Sequence, residues 1–484
     1  MKQIFLLLTV SLLFLTGCLG RSAAAPTDRP ELRDCQLAGG VKAQCGLITV
    51  LENRDGPENG RSLDIHFAII PATNSQPQPD PVFLLAGGPG QAAISAYAPI
   101  LSTLQRINQS RDIVLVDQRG TGRSNPLACP NLNDLPLDSS PDDLEAALGS
   151  CRQELAAAND LTQYHTTIAM RDLDDVRAAL EYEQINLIGT SYGSRAALEY
   201  MRLFPERVRS VVLNAVVGPD LVLQLQAPRD GQRALDLFFA RCAADAGCQA
   251  AFPDLTAEFA ALLDQVDGSV DVRLTHPLNG EVVELTLNRD EFMQSIFTLL
   301  YSADIVSLLP LLIHNAAESG DFGPLLAQFL LVSSGVGLYQ GMFYAVACSE
   351  DASFIDLAQA EALQAGSQFS LVAADFVAAC ADWPQAVVTE GLRQPVTAVI
   401  PTLLLSGNAD PITPPQYAES VAASLPNSLH LIIPHYGHDV LLAGCMLQVV
   451  GDFIGSGAVE GLDTSCLDEI QIPPFFISPA GPLP

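Results

Sequence analysis

Lysine is almost missing from this chain. It occurs only at Lys2 and Lys42, and all cations together number 24 against 55 acids. The resulting net charge of −31 argues against a nucleic-acid partner and against a polybasic membrane contact. The acidic balance describes a solvated surface and says little about substrate. No C-x-x-C pair occurs, which removes the usual zinc-ribbon and redox-dithiol patterns. After the first residues no apolar run reaches roughly 18, so no later segment is expected to span a membrane. Disorder is excluded as well, because 49% of the residues are hydrophobic.

What is present begins with Met1-Lys2 and an apolar run from Ile4 to Leu15, followed by Thr16-Gly17-Cys18. One charge, a short apolar stretch and small residues describe an export signal. Leu15-Thr16-Gly17-Cys18 resembles the lipobox of bacterial lipoproteins. That resemblance implies a signal peptide over 1–17, a diacylated Cys18, and attachment to the cell envelope, at the outer membrane if the source is Gram-negative. Residues 18–34 then form a tether. The other ten cysteines are even in number, as an exported chain favours. Pairing by sequence neighbours gives Cys35–Cys45, Cys129–Cys151, Cys242–Cys248, Cys348–Cys380 and Cys445–Cys466. Other pairings satisfy the same count.

Gly46 to Leu51 and Ser62 to Ile70 read as an antiparallel hairpin, the second strand alternating Leu63, Ile65, Phe67 and Ile69 with Asp64, His66 and Ala68. Pro81 to Leu85 and Ile113 to Val116 are unbroken apolar runs, hence fully buried strands. The first leads into Ala86-Gly87-Gly88-Pro89-Gly90, whose amides are free to face a ligand. Leu173, Val176 and Leu180 mark a helix capped by Thr166 or Thr167. Ile185 to Ile188 is another buried strand. Gly189-Thr190-Ser191-Tyr192-Gly193 follows it, and Ala196 to Leu203 form a helix that stops at Phe204-Pro205. Strand, sharp turn and helix are the context of a nucleophile elbow. With Val211 to Asn214 as the next strand, the alternation predicts an α/β fold with a doubly wound, mostly parallel sheet.

Ala86 to Gly90 resembles the His-Gly-Gly-Pro-Gly loop of the proline iminopeptidase and tripeptidyl aminopeptidase branch of the α/β-hydrolases. Asp117 to Ser124 is similar to its Asp-Gln-Arg-Gly-x-Gly-x-Ser, and Gly189 to Gly193 to its elbow. Ala86 departs from the frequent His, and activity is expected to survive that change. Arg119 is expected to brace loops near Ser191 and to do no chemistry. The resemblance implies backbone oxyanion donors at Gly88 and Tyr192.

From Gly218 to Gln394 apolar residues recur at helical spacing, which reads as a mainly helical cap inserted into a core of 35–217 and 395–470, ahead of a Pro-rich tail at 471–484. Cys348-Ser349-Glu350 is similar to the Cys-x-Asp/Glu segment of the tripeptidyl aminopeptidase branch. Glu350, with Asp351 and Asp382 as reserves, is the expected acidic anchor for a substrate's free amine. Thr402 to Ser406 is a buried strand whose loop carries one acid, Asp410. Leu429 to Ile433 is the last strand, followed by His435 and His438. His438 is where the branch places its general base, and His435 is the weaker candidate. His66, His276 and His314 read as surface residues.

Ser191, Asp410 and His438 stand in the chain order of an α/β-hydrolase triad. The expected activity is a serine exopeptidase acting on peptides near a free N-terminus, with no metal or cofactor. A carboxylic-ester hydrolase with the same triad is the alternative. A non-catalytic surface-binding protein on the same scaffold would need none of the three residues.

Overall fold

The computed structural model describes residues 29–482 except 58–59, 134, 137, 335–336, 371–372 and 389. The signal peptide, Cys18 and the start of the tether lie outside the described residues. The chain builds β1 (Arg33–Gln36), β2 (Lys42–Leu51), β3 (Ser62–Ile70), β4 (Val82–Leu85), β5 (Ile113–Val116), β6 (Ile185–Thr190) and β7 (Val208–Asn214). A hairpin of β8 (Val270–Thr275) and β9 (Val282–Leu287) follows, then β10 (Thr402–Gly407) and β11 (Ser428–Ile433). The main sheet runs β1-β2-β3-β5-β4-β6-β7-β10-β11. Its first strands are antiparallel; from β5 to β11 the pairs are parallel.

The apolar runs are unbroken because helices cover both faces, and period two divides each strand between them. Phe83, Leu85, Val114 and Leu187 pack with the helices Thr166–Ala179 and Tyr192–Leu203. Val82, Leu84, Leu115 and Ile188 pack instead with Tyr97, Leu101 and the helix Met446–Ser456. A buried Leu or Ile on either face contributes about 2 kcal/mol through removal of apolar surface from water.

The region between β7 and β10 is more divided than a single cap over 218–394. Helices from Ala227 to Ser319 share a hydrophobic core of their own, which includes Leu235, Phe238, Phe259, Phe292 and Leu309. The β8–β9 hairpin packs into it through Val272, Leu274, Leu285 and Leu287. The helix Gln340–Glu350 and the segment beyond it bury Met342, Val346, Phe376 and Trp383 in the core of the sheet instead. The tail is not free of the fold either. Phe475 enters the helical layer's core, with the Arg241 guanidinium 4.1 Å over its ring.

Five disulfides join Cys35–Cys45, Cys129–Cys151, Cys242–Cys248, Cys348–Cys380 and Cys445–Cys466. No helix among the described residues is long and apolar enough to cross a membrane.

Candidate active site

Ser191 follows directly on β6 and starts the helix Tyr192–Leu203 with φ 57° and ψ −126°. A side chain in that region is strained, and strain of this kind collects at functional sites. The two glycines of the motif explain how the turn closes. A Cβ on Gly189 would lie 2.2 Å from the Gly193 carbonyl oxygen, and one on Gly193 would lie 2.1 Å from that of Leu85. Only hydrogen fits at either place. The elbow is pinned from below as well: Ser194 Oγ donates to the Ser191 carbonyl at 2.6 Å and accepts from the Val217 amide at 2.8 Å.

The glycine-rich loop lies against this turn. A Cβ on Gly87 would meet Ser191 Cβ at 3.2 Å. The Gly87 amide donates to Gln91 Oε1 at 3.1 Å, which fixes the loop. Gly88 has φ 106°. Tyr192 supplies the first amide of the elbow helix, a group with no carbonyl to bond within the helix. Its ring is buried, and its hydroxyl shares a 2.7 Å hydrogen bond with Thr166 Oγ1.

Asp410 sits in the loop after β10 and is fully buried. Its Oδ1 accepts from the amides of Ile412 and Thr413, both at 2.9 Å, and its Oδ2 from Thr413 Oγ1 at 2.6 Å. His438 Nδ1 lies 2.9 Å from Oδ2 and 3.1 Å from Oδ1. Burial alone would raise the Asp410 pKa, but the charge and hydrogen bonds of His438 and Thr413 hold it below the usual carboxylate range. Burial alone would lower that of His438, and the Asp410 carboxylate more than reverses this, holding it above the ordinary imidazole value. Each group therefore favours the charge of the other. The ring that bonds Asp410 is that of His438; the His435 amide bonds Asn408 Oδ1 at 2.7 Å, and burial lowers its imidazole pKa.

Two residues from the helical layer reach this pair, and sequence reasoning missed both. Arg233 donates to the carbonyls of Asn408 at 2.7 Å and Asp410 at 2.9 Å. Tyr301 accepts the His438 amide on its carbonyl at 2.8 Å, and its ring meets the imidazole edge-on at 4.9 Å between centroids. Neither residue stands in a recognisable motif. Thr413 was missed too, although a Thr three residues after an Asp in a loop is a hydrogen-bonding pattern that sequence can reveal.

Glu350 and Asp351 are corrected as amine anchors. Both are 0% exposed. Glu350 Oε1 accepts from the Thr166 amide at 2.7 Å and Oε2 from Thr166 Oγ1 at 2.9 Å, with Arg195 3.8 Å away. Asp351 pairs with Arg195 at 2.8 Å and also with Arg393, and it accepts from the Leu223 amide. Neither carboxylate has a face left for an incoming ammonium. Asp351 belongs to a core that needs its charge, because Arg195 is itself buried in the elbow helix; Glu350 serves there as the acceptor for Thr166. Asp382 is 78% exposed and pairs with Arg152 at 3.0 Å. Arg119 is a brace, but not of the elbow. It ties Asp172 to the carbonyls of Leu51, Glu52 and Gln163. His314 pairs with Glu258 at 2.9 Å, and His66 and His276 make no contact with the site's acid or base.

Sheet order, elbow and the acid-bearing loop together define a serine hydrolase with the α/β-hydrolase fold. Comparison with known proteins gives the same class. The α/β-hydrolase fold model matches residues 80–298, and the model described as TAP-like protein matches 366–466. The serine protease Hip1 of Mycobacterium tuberculosis is 24% identical over 480 residues, covering 91% of this chain and 89% of that one. The tripeptidyl aminopeptidase of Streptomyces coelicolor is 28% identical over 192 residues, 36% of this chain and 35% of its own. Among solved structures, the proline iminopeptidase of Mycobacterium smegmatis aligns with TM-score 0.42 and 17% identity, over 85% of this chain and 98% of that one.

Proposed function

We propose that the protein is a serine exopeptidase that cuts peptides near a free N-terminus. Ser191 is the nucleophile, His438 the general base and Asp410 the residue that orients it. His438 takes the Ser191 proton as the oxygen attacks the scissile carbonyl, then gives it to the leaving amine. Asp410 fixes the tautomer with Nδ1 protonated and stabilises the imidazolium that forms. The amides of Gly88 and Tyr192 bond the oxyanion of the tetrahedral intermediate, a contribution of a few kcal/mol in enzymes of this kind. Water then hydrolyses the acyl-enzyme with the same base.

The observation that carries the reading is the buried Asp410 carboxylate bonded to His438 Nδ1 at 2.9 Å, on loops beside the strained Ser191 elbow. The peptidase assignment is supported by the peptidase names among the relatives and by the TAP-like match. Free and N-acetylated tripeptidyl-anilides, aminoacyl-anilides and p-nitrophenyl esters form the deciding panel. Preference for a free-amine anilide is expected. Strong cleavage of blocked peptides would reject the exopeptidase, and cleavage of esters alone would make it an esterase.

Export and lipidation at Cys18 are part of the proposal. The disulfides support the first, since such bonds persist outside the reducing cytosol. Mass spectrometry of the mature protein should find a lipidated Cys18 at its N-terminus. A mature form that begins elsewhere would reject it.

A further inference from the structure

β6, β7, β10 and β11 end side by side, and three of these ends carry Ser191, Asp410 and His438. The fourth, β7, ends in Asn214, which is 0% exposed. Its Nδ2 donates to Thr190 Oγ1 at 3.3 Å and to Asp439 Oδ1 at 2.7 Å. Its Oδ1 accepts from the Val440 amide at 3.4 Å, and its carbonyl accepts from the Ser191 amide at 2.9 Å. Thr190 precedes the nucleophile, and Asp439 follows the base. One buried amide therefore touches both catalytic loops at the residues adjoining the reacting pair.

The chemistry of the position calls for an amide. One arm must donate to an acid and a hydroxyl, the other must accept a backbone N–H. An aspartate would face Asp439 with a like charge, and a leucine would strand the Val440 amide and one lone pair of Asp439. Asp439 Oδ1 is anchored in turn by the Leu441 amide at 2.8 Å, so the bridge ends on a fixed point.

We propose that Asn214 is a positioning residue for the reaction: it sets the separation between the nucleophile elbow and the histidine loop, so that His438 meets Ser191 without rearrangement. This rests on the assignment of Ser191 and His438 above. Small displacements of reacting groups are costly, about a hundredfold for 1 Å. The effect should therefore fall on the chemical step and leave substrate binding alone.

The test uses the full-length mature protein and compares N214A, D439A, the double variant and S191A. N214A should lower kcat by roughly 10–100-fold while KM changes by less than about threefold. Labelling by a fluorophosphonate should slow by a similar factor. The double variant should lose no more than the worse single variant, because both substitutions cut one connection. Folded N214A with wild-type kcat, a loss confined to KM, or additive losses would overturn the proposal. Should N214A fail to fold, N214D is compared with N214D/D439N, a swap in which the histidine loop carries the amide and donates back to a carboxylate at the end of β7. Recovery of most of the lost kcat supports the bridge, and no recovery overturns it. S191A separates the two layers of argument. Activity in S191A removes the nucleophile assignment and the bridge with it, whereas a dead S191A beside a wild-type-like N214A removes the bridge alone.

Discussion

Asp410 and Glu350 are both fully buried acids; Asp410 bonds His438, and Glu350 shares Thr166 with Tyr192 of the elbow helix. They are held in opposite ways. Asp410 faces an imidazole, a group that gains and loses a proton near neutral pH, and His438 keeps some access to solvent, its side chain 13% exposed. Glu350 and its neighbour Asp351 face Arg195 and Arg393, whose guanidinium groups keep their charge at any working pH. The first arrangement is one in which a proton can move; the second holds the Asp351 charge in place under the elbow helix. Burial of an acid alone does not mark chemistry. The partner decides, and so does the strand end from which the acid projects. Substitutions on each side should therefore separate loss of rate from loss of stability.

The largest effect is expected at the end of the catalytic side. Ser191→Ala should cut turnover by about 10⁴-fold or more while the protein melts at nearly the wild-type temperature. Turnover within about tenfold of wild type would break the comparison, because no proton would then need to reach Asp410's partner.

Next comes Asp410→Asn, with a loss of roughly 10³–10⁴ in kcat, as expected when the wrong imidazole tautomer is held. The pH profile gives a second reading. His438 must be neutral to act as a base, so kcat/KM rises with pH as it loses its proton. The Asp410 carboxylate holds the His438 pKa above its ordinary value of 6.5. Removing that charge should move the rising limb to lower pH and lower the plateau. An unmoved limb would show that another group sets it.

The strands that lead to Ser191, Asp410 and His438 were legible in the sequence because each is an apolar run too short for a helix. Ile185 to Thr190, Thr402 to Gly407 and Ser428 to Ile433 all became parallel strands, and the loops after them carry Ser191, Asp410 and His438. The other side was not legible. Glu350 and Asp351 stand at the end of the helix Gln340–Glu350, and the resemblance of that segment points to an amine anchor instead of a buried pair. Their partners lie far off in sequence: Thr166 is 184 residues from Glu350 and Arg195 is 156 from Asp351. Periodicity sees neighbours within a few residues and is silent about such pairs. The β8–β9 hairpin is a different omission. Val270, Val272 and Leu274 alternate with polar residues, and the signal was available.

Asp351→Asn should affect stability far more than rate. It leaves the Arg195 and Arg393 charges without their common counter-ion inside the protein. Removing one partner of a buried pair costs about 3–5 kcal/mol. A large fall in melting temperature is expected, with kcat of the folded enzyme close to wild type. A catalytic loss with unchanged melting would move Asp351 to the other side of the comparison.

Glu350→Gln should be the mildest of the four, and it tests both the amine-anchor expectation and the protonation of this buried acid. The amide keeps an acceptor for the Thr166 N–H, and the Thr166 hydroxyl can turn toward Tyr192. Selectivity between free and N-acetylated peptides should therefore change by less than about twofold, since no ammonium reaches this carboxylate; a charge-assisted contact would be worth about 1.5–3 kcal/mol. The pH dependence of stability carries the second half of the test. Burial pushes the Glu350 pKa up to about 7 from an ordinary 4.5, against the opposing pull of Arg195 and Thr166. Between those values the folded protein holds a proton that the unfolded chain has released. This contribution to stability is complete below pH 4.5 and is lost as pH rises through 7. Melting curves of wild type and Glu350→Gln across that interval should diverge, with the variant losing less stability as pH rises. Parallel curves would mean that Glu350 is ionised throughout, paired with Arg195 much as Asp351 is, and a selective loss on free-amine peptides would restore it as the anchor.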